Sequence, residues 1–110
     1  MISMTEELRS TLRAFQQTEI TEHAIYSALA RRVKGANGDL LRRIAGDEKR
    51  HASVWERYTG ISIAPERWKV LFFVLLAAVM GITFAIKLLE KGEERAEKNY
   101  GAVEEAIPEA

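Results

Sequence analysis

Residues 45–55 read Ala45-Gly46-Asp47-Glu48-Lys49-Arg50-His51-Ala52-Ser53-Val54-Trp55 (AGDEKRHASVW), and they place polar groups on the apolar face of a predicted helix. Glu48 and His51 are three residues apart, so their side chains project next to each other from a helix. They occupy positions where the apolar stripe from Leu41 to Tyr58 calls for apolar side chains. Two interpretations follow: the pair lies on a solvated helix edge, or it is half of a metal site.

The composition indicates a helical protein without thiol chemistry. The 110 residues include 16 basic and 16 acidic side chains, so no net charge attracts nucleic acid, and we expect no nucleic-acid partner. The absence of cysteine excludes disulfides, iron–sulfur clusters and thiolate zinc sites. With two prolines and many Ala, Leu, Glu, Lys and Arg residues, the chain is predicted to be all-α and to form one domain over residues 1–110. The N-terminal sequence MISMTEELRS is not a secretory signal, and we expect the protein in the cytoplasm or at the cytoplasmic face of a membrane.

The first two predicted helices form a hairpin. The first runs from about Thr5, an N-cap, to about Lys34, and a turn follows at residues 35–38. The second begins at Asp39, also an N-cap, and ends near Tyr58. Because their connection is short, the two helices should lie antiparallel.

A third helix is predicted from Pro65 or Glu66 to about Val103, with glycines at 81, 92 and 101 as points where it could kink. Its apolar stripe consists of Phe72, Leu75, Val79, Ile82, Ile86 and Leu89. The sequence ends on Ile107-Pro108-Glu109-Ala110, a pattern typical of a helix start. We therefore expect an antiparallel bundle of three helices whose fourth helix is missing or supplied by another chain.

All three predicted helices interrupt their apolar stripes with carboxylates. Glu19 and Glu22 interrupt the first stripe, Glu48 and His51 the second, and Glu93 the third. Burying an unpaired carboxylate is costly, so such side chains are usually neutralised, paired or bound to a metal. The repetition on three helices favours a metal site over a solvated edge.

The spacing of these residues has a known chemical use. Di-iron and di-manganese bundles take a single Glu from each of two helices and a Glu-x-x-His motif from each of two others. Glu19 and Glu93 fit the single glutamates, Glu48 and His51 fit one motif, and Glu22 is a further candidate ligand. Carboxylates with one imidazole suit Fe(II) or Mn(II) and also accept Zn(II).

The remaining histidine and the aromatic residues have ordinary predicted roles. His23 lies beside the first stripe and outside any Glu-x-x-His motif, so it is predicted to be a surface histidine. Tyr26, Trp55 and Tyr100 are predicted to be core aromatics rather than redox relays.

Three stretches, ITEHAIYSALA (residues 20–30), IAGDEKRHASVWERYTG (residues 44–60) and MGITFAIKLLEKGEERAEKNY (residues 80–100), carry a resemblance. Together they resemble the rubrerythrin-type, ferritin-like domain found at the N-terminus of prokaryotic vacuolar-iron-transporter-like membrane proteins. The resemblance covers nearly the whole chain and implies a ferritin-like four-helix bundle with a di-iron carboxylate site. It implies that the metal ligands are Glu19, Glu48, His51 and Glu93, with Glu22, Glu90 and Glu97 as extras. The chain departs from the family in lacking the fourth helix, with its second Glu-x-x-His motif, and the transporter domain.

The resemblance also implies a function and partners. It implies binding of iron or manganese, two ions per complete dinuclear site, in iron storage, sensing or transport, next to a membrane transporter domain. It further implies oxidation of Fe(II), which would make the chain an oxidoreductase of ferroxidase or peroxidase type. From the ligand count we expect a homodimer or higher homo-oligomer: two paired hairpins would together supply four glutamates and two histidines, from Glu19, Glu48 and His51 of each chain.

The segment Val70–Ile86 supports a different class of function. Its 17 residues carry no charge and span about 26 Å as a helix, near the lower limit for crossing a bilayer. Lys69 and Lys87 flank it, and Trp68 lies at one edge, as membrane anchors do. The alternative is therefore a membrane-anchored helical interaction or assembly protein that binds no metal. A third interpretation is a helical assembly domain whose carboxylates pair with arginines.

Overall fold

The computed structural model describes residues 5–92, and all regular secondary structure in this part of the chain is helical. Helix α1 spans Glu6–Ala30, α2 spans Ala36–Thr59, and α3 spans Arg67–Met80. A further helical stretch, α4, begins at residue 82 and continues to residue 92, the last one described. The prediction of an all-α bundle is confirmed, but the described residues form four helical segments where the sequence predicts three helices.

The start of α1 follows the prediction. Thr5 is the N-cap, and its Oγ1 accepts a hydrogen bond from the backbone N–H of Leu8 at 3.1 Å. The helix ends at Ala30, four residues before the predicted Lys34. The two carboxylates predicted to interrupt the apolar stripe of α1, Glu19 and Glu22, lie among its buried residues.

The start of α2 differs from the prediction. The helix begins at Ala36, so the predicted N-cap at Asp39 is wrong. Gly35 caps the helix instead, with a positive φ of 77° that favours glycine, and its carbonyl accepts from the Asp39 N–H at 3.1 Å. A Cβ on Gly38 would lie 2.1 Å from the Val33 carbonyl oxygen. The first turn of α2 therefore packs backbone against backbone on the end of α1.

Helices α1 and α2 lie antiparallel, as predicted, and enclose two apolar clusters. The larger cluster consists of Ile25, Tyr26, Leu29, Ala30, Leu41, Ala45 and Leu89. The smaller one consists of Leu12, Phe15 and Trp55. Between the two clusters along the chain, α1 carries Glu19 and Glu22 and α2 carries Glu48 and His51. A polar layer therefore divides the core of the hairpin.

Partly buried hydrogen bonds attach the end of α2 and the linker after it to α1. The Gln16 side chain donates from Nε2 to the Ile61 carbonyl at 2.7 Å and accepts from Thr59 Oγ1 at 2.6 Å. The backbone N–H of Glu66 donates to Thr21 Oγ1 at 3.0 Å. These contacts set where α3 starts against α1.

The third helix is not continuous. It ends at Met80, so the predicted run from Pro65 or Glu66 to Val103 is wrong within the described residues. Gly81 breaks it with φ 95° and ψ 153°, a region that is essentially restricted to glycine. Among the other predicted kink points, Gly92 is still helical and Gly101 lies outside the described residues.

The break also makes the predicted single stripe of the third helix wrong. On α4 the predicted residues do pack in or against the larger cluster: Ile82, Ile86 and Leu89. On α3 the predicted residues are exposed: Phe72, Leu75 and Val79. The residues of α3 that pack against the cluster are instead Val70, Phe73 and Ala77. Side chains at helical spacing share one face only while the helix is continuous. Because Gly81 interrupts the helix, the predicted stripe residues before it and after it face different directions.

The same break divides the uncharged segment Val70–Ile86 between two helices. Helix α3 has 14 residues and is therefore about 21 Å long. Among the helices of residues 5–92, none combines the length and the apolar character needed to cross a membrane.

Replacing Gly81 tests the break directly. We expect Gly81→Ala to lower the free energy of unfolding by about 1–3 kcal/mol, because alanine is strained at this backbone conformation although a Cβ meets no atom within 4 Å. Gly46→Ala is the matched control: it lies inside α2, its Cβ also meets nothing, and it should stabilise by up to about 1 kcal/mol. Urea unfolding measures both. Stabilisation by Gly81→Ala would indicate a helix that runs straight through residue 81.

Candidate metal centre

The polar layer between α1 and α2 brings together three of the predicted ligands. Glu19 is buried on α1, with a side chain only 4 % exposed. Glu48 and His51 project from adjacent positions of α2, and their side chains are 12 % and 57 % exposed. The site is therefore closed at the glutamates and open to solvent at the histidine.

The distances between these side chains suit a single metal ion. His51 Nδ1 lies 3.5 Å from Glu19 Oε2 and 3.4 Å from Glu48 Oε1. One ligand atom from each of the three residues lies within 4.8 Å of the others. Metal–ligand bonds of about 2.0–2.2 Å hold neighbouring ligand atoms about 3–4 Å apart. The two separations from His51 lie in this range, so the three residues could hold one ion.

The position of His51 explains why the site is open. Ala45 and Ala52 are the buried residues on either side of His51 along α2, and His51 itself is exposed. The two alanines mark the centre of the face that packs on α1, and His51 lies at the edge of that face. Small alanine side chains let α2 approach α1 closely at this level. The imidazole can thus reach Glu19 while one of its sides faces water.

Burial and neighbouring acids raise the pKa of Glu48 to about 11. Desolvation is the largest cause, followed by hydrogen bonds of the protonated carboxyl with Glu22 and Glu19, and then by the negative charges of these two groups. At neutral pH Glu48 therefore holds a proton and shares it with a neighbouring carboxylate. Glu22 is part of the same cluster, because its side chain is hydrogen-bonded to Glu48.

The predicted ligands have different outcomes. Glu19, Glu48 and His51 meet, and Glu22 contacts Glu48. Glu93 and Glu97 lie outside the described residues, and Glu90 is exposed on α4. Within residues 5–92, no ligand-type side chain joins the three-residue cluster that the sequence pattern did not predict.

The prediction for His23 needs a correction. His23 is half-buried rather than a surface residue, and its Nδ1 donates to the carbonyl oxygen of Ala45 on α2 at 2.8 Å. Periodicity alone could not reveal this bond, because it depends on the approach of the α2 backbone. Tyr26 and Trp55 are buried, as predicted for core aromatics, and Tyr100 lies outside the described residues.

Comparisons with protein-family models, with curated proteins and with solved structures found no match to this chain.

The raised pKa of Glu48 predicts how stability depends on pH in the metal-free protein. Between the ordinary carboxyl pKa and the raised one, only the folded state binds this proton, so stability falls as pH rises from about 4.5 towards 11. Glu48→Gln is neutral at every pH and should be more stable than wild type at pH 8 by about 1–3 kcal/mol. Urea unfolding in the presence of a chelator measures the effect.

The control for this prediction is Glu56→Gln, which changes an exposed carboxylate of the same helix. It should keep the wild-type loss of stability between about pH 5 and pH 9, whereas Glu48→Gln should flatten it. Identical pH profiles for wild type and Glu48→Gln would show that Glu48 is not the protonated group.

Proposed function

We propose that this chain binds a divalent metal ion, iron or manganese, through Glu19, Glu48 and His51. The observation that carries the proposal is the convergence of two carboxylates and one imidazole, from two helices, within 4.8 Å. Carboxylate oxygens with a single imidazole nitrogen are the ligands that Fe(II) and Mn(II) accept readily. The open edge at His51 leaves room for water or a further ligand.

The charge balance of the site supports the same proposal. Two or more ionised carboxylates between packed helices repel each other, and the metal-free protein relieves this by keeping Glu48 protonated. A divalent cation offsets two carboxylate charges and takes the place of the shared proton. Binding should therefore release protons and strengthen as pH rises.

A dinuclear site is the fuller form of the proposal. Glu22 places another carboxylate next to Glu48, so these two side chains would be available to hold a second ion. The resemblance to rubrerythrin-type, ferritin-like domains supports iron as the metal and iron storage, sensing or transport as the role. Bound Fe(II) would be the electron donor, one electron per ion, with dioxygen or peroxide from solution as the oxidant, and the protein residues would hold the ions, balance their charge and limit water on the buried side.

An anaerobic Fe(II) titration tests the proposal. We expect wild type to take up about one or two irons per chain, and Glu48→Ala/His51→Ala to bind at least about 100-fold more weakly, because losing ligands costs more than the roughly 10–100-fold cost of losing supporting groups. Glu56→Gln, an exposed carboxylate of the same helix, should bind like wild type.

Proton release gives a second measurement in the same experiment. Calorimetry in buffers of different ionisation enthalpy should show protons leaving as iron binds near pH 7, and fewer leaving with Glu48→Gln. Equal iron uptake by wild type and the double variant would contradict the proposal. Parallel titrations with Mn(II) and Zn(II) rank the metals.

A further inference from the structure

Helix α3 exposes a continuous apolar stripe, which we call the outer face. It consists of Trp68, Leu71, Phe72, Leu75 and Val79. Exposure reaches 65 % at Trp68 and 80 % at Val79. With side-chain areas of about 150–250 Å², the stripe presents roughly 600 Å² of apolar surface. This equals the largest patch on a typical monomer, and it exceeds the roughly 450 Å² of apolar area on one side of a standard protein interface.

The outer face has the spacing of a helix-pairing seam. Trp68, Phe72, Leu75 and Val79 follow one another at steps of four, three and four, which is the a/d pattern of two heptads. The opposite side of α3 is already occupied, because Val70, Phe73 and Ala77 pack against the core. The seam therefore fits a second helix that lies outside the described fold.

The order of side chains in the seam suits an antiparallel copy of the same helix. A two-fold axis between residues 73 and 74, the middle of α3, places Trp68 opposite the second copy's Val79. It also places Phe72 opposite the second copy's Leu75. Each pair then joins an aromatic ring to a smaller aliphatic side chain, so large and small residues alternate along the interface.

Charge favours the same arrangement. The first turn of α3 contains Arg67 and Lys69 and no acidic residue, which is unfavourable next to the positive end of the helix dipole, and its last turn contains no basic residue to offset the negative end. Lys69 is paired with Glu66 at 3.3 Å, so Arg67 carries the excess charge at this end. An antiparallel copy brings this basic end of α3 to the C-terminal end of the other chain's α3, where the helix dipole is negative.

We propose that two copies of this chain associate through the outer face, with their α3 helices antiparallel about a two-fold axis. This interface is different from the paired α1–α2 hairpins that the ligand count predicts. It goes beyond the proposed metal function and does not depend on it.

Sedimentation equilibrium tests the interface. Wild type should show twice the 12.4 kDa chain mass at micromolar concentration, and Leu75→Glu should raise the dimer dissociation constant at least about 100-fold, because it buries a charge at the centre of the seam. The matched control is Leu40→Glu, which changes a half-exposed leucine on α2 and should leave the dimer intact. Circular dichroism checks that each variant is folded.

Cysteine cross-linking tests the orientation without a disruptive charge. The chain has no cysteine, so Trp68→Cys and Val79→Cys each introduce a single thiol. When the two variants are mixed and oxidised, an antiparallel dimer gives the mixed disulfide, distinguishable by mass. A parallel dimer would instead give disulfides between two copies of the same variant, and that result overturns the proposed geometry.

Three other results overturn the proposal. A wild-type protein that stays monomeric at about 100 µM overturns it, and binding of that monomer to phosphatidylcholine–phosphatidylglycerol vesicles would assign the outer face to lipid. A monomer that Leu75→Glu strongly destabilises would show that the face is covered within its own chain. A dimer that persists with Leu75→Glu and gives no mixed disulfide would place the interface elsewhere.

Discussion

The crowding of Glu19, Glu22 and Glu48 between α1 and α2 is the constraint that the rest of the hairpin has to accommodate. Three carboxyl groups lie between α1 and α2, where little water can solvate them. They cannot all be ionised at close range, so one holds a proton in the metal-free protein. A bound cation would reduce the same repulsion through its positive charge. The polar layer is thus tolerated when one carboxyl group is protonated, and the proposed metal would neutralise it further.

The protein supports this layer from both directions along the hairpin. On one side Phe15 and Trp55 pack with ring centroids 5.8 Å apart, and Gln16 fixes the linker. On the other side His23 bonds the Ala45 carbonyl, directly before the larger apolar cluster. Stability comes from the apolar clusters, and the hydrogen bonds at the borders hold α1 and α2 in register. The glutamates are therefore positioned by their neighbours rather than by their own interactions.

The extent to which the sequence predicts this structure depends on helix continuity. On α1 and α2 the phase of the helix is unbroken, so spacing alone correctly predicts that Glu19 faces Glu48 and His51. The start of α2 was not predictable in the same way, because Asp39 is a good N-cap by residue type while the positive φ of Gly35 decides the turn. At Gly81 the helix is interrupted, so helical spacing no longer relates the residues on its two sides. A stripe predicted across Gly81 therefore includes side chains that face different directions.

The break at Gly81 also determines which apolar side chains remain on the surface. In a straight helix, the residues of the outer face would lie on the same side as the α4 residues that pack into the core. Because the helix is broken at Gly81, the outer face is exposed to solvent, and α3 packs against α1 through its opposite side. The proposed metal ligands lie on α1 and α2, and their open edge is at His51 on α2. The proposed interface contains none of the proposed metal ligands. The two sets of residues lie on different helices, so the residues of one can be changed without altering those of the other.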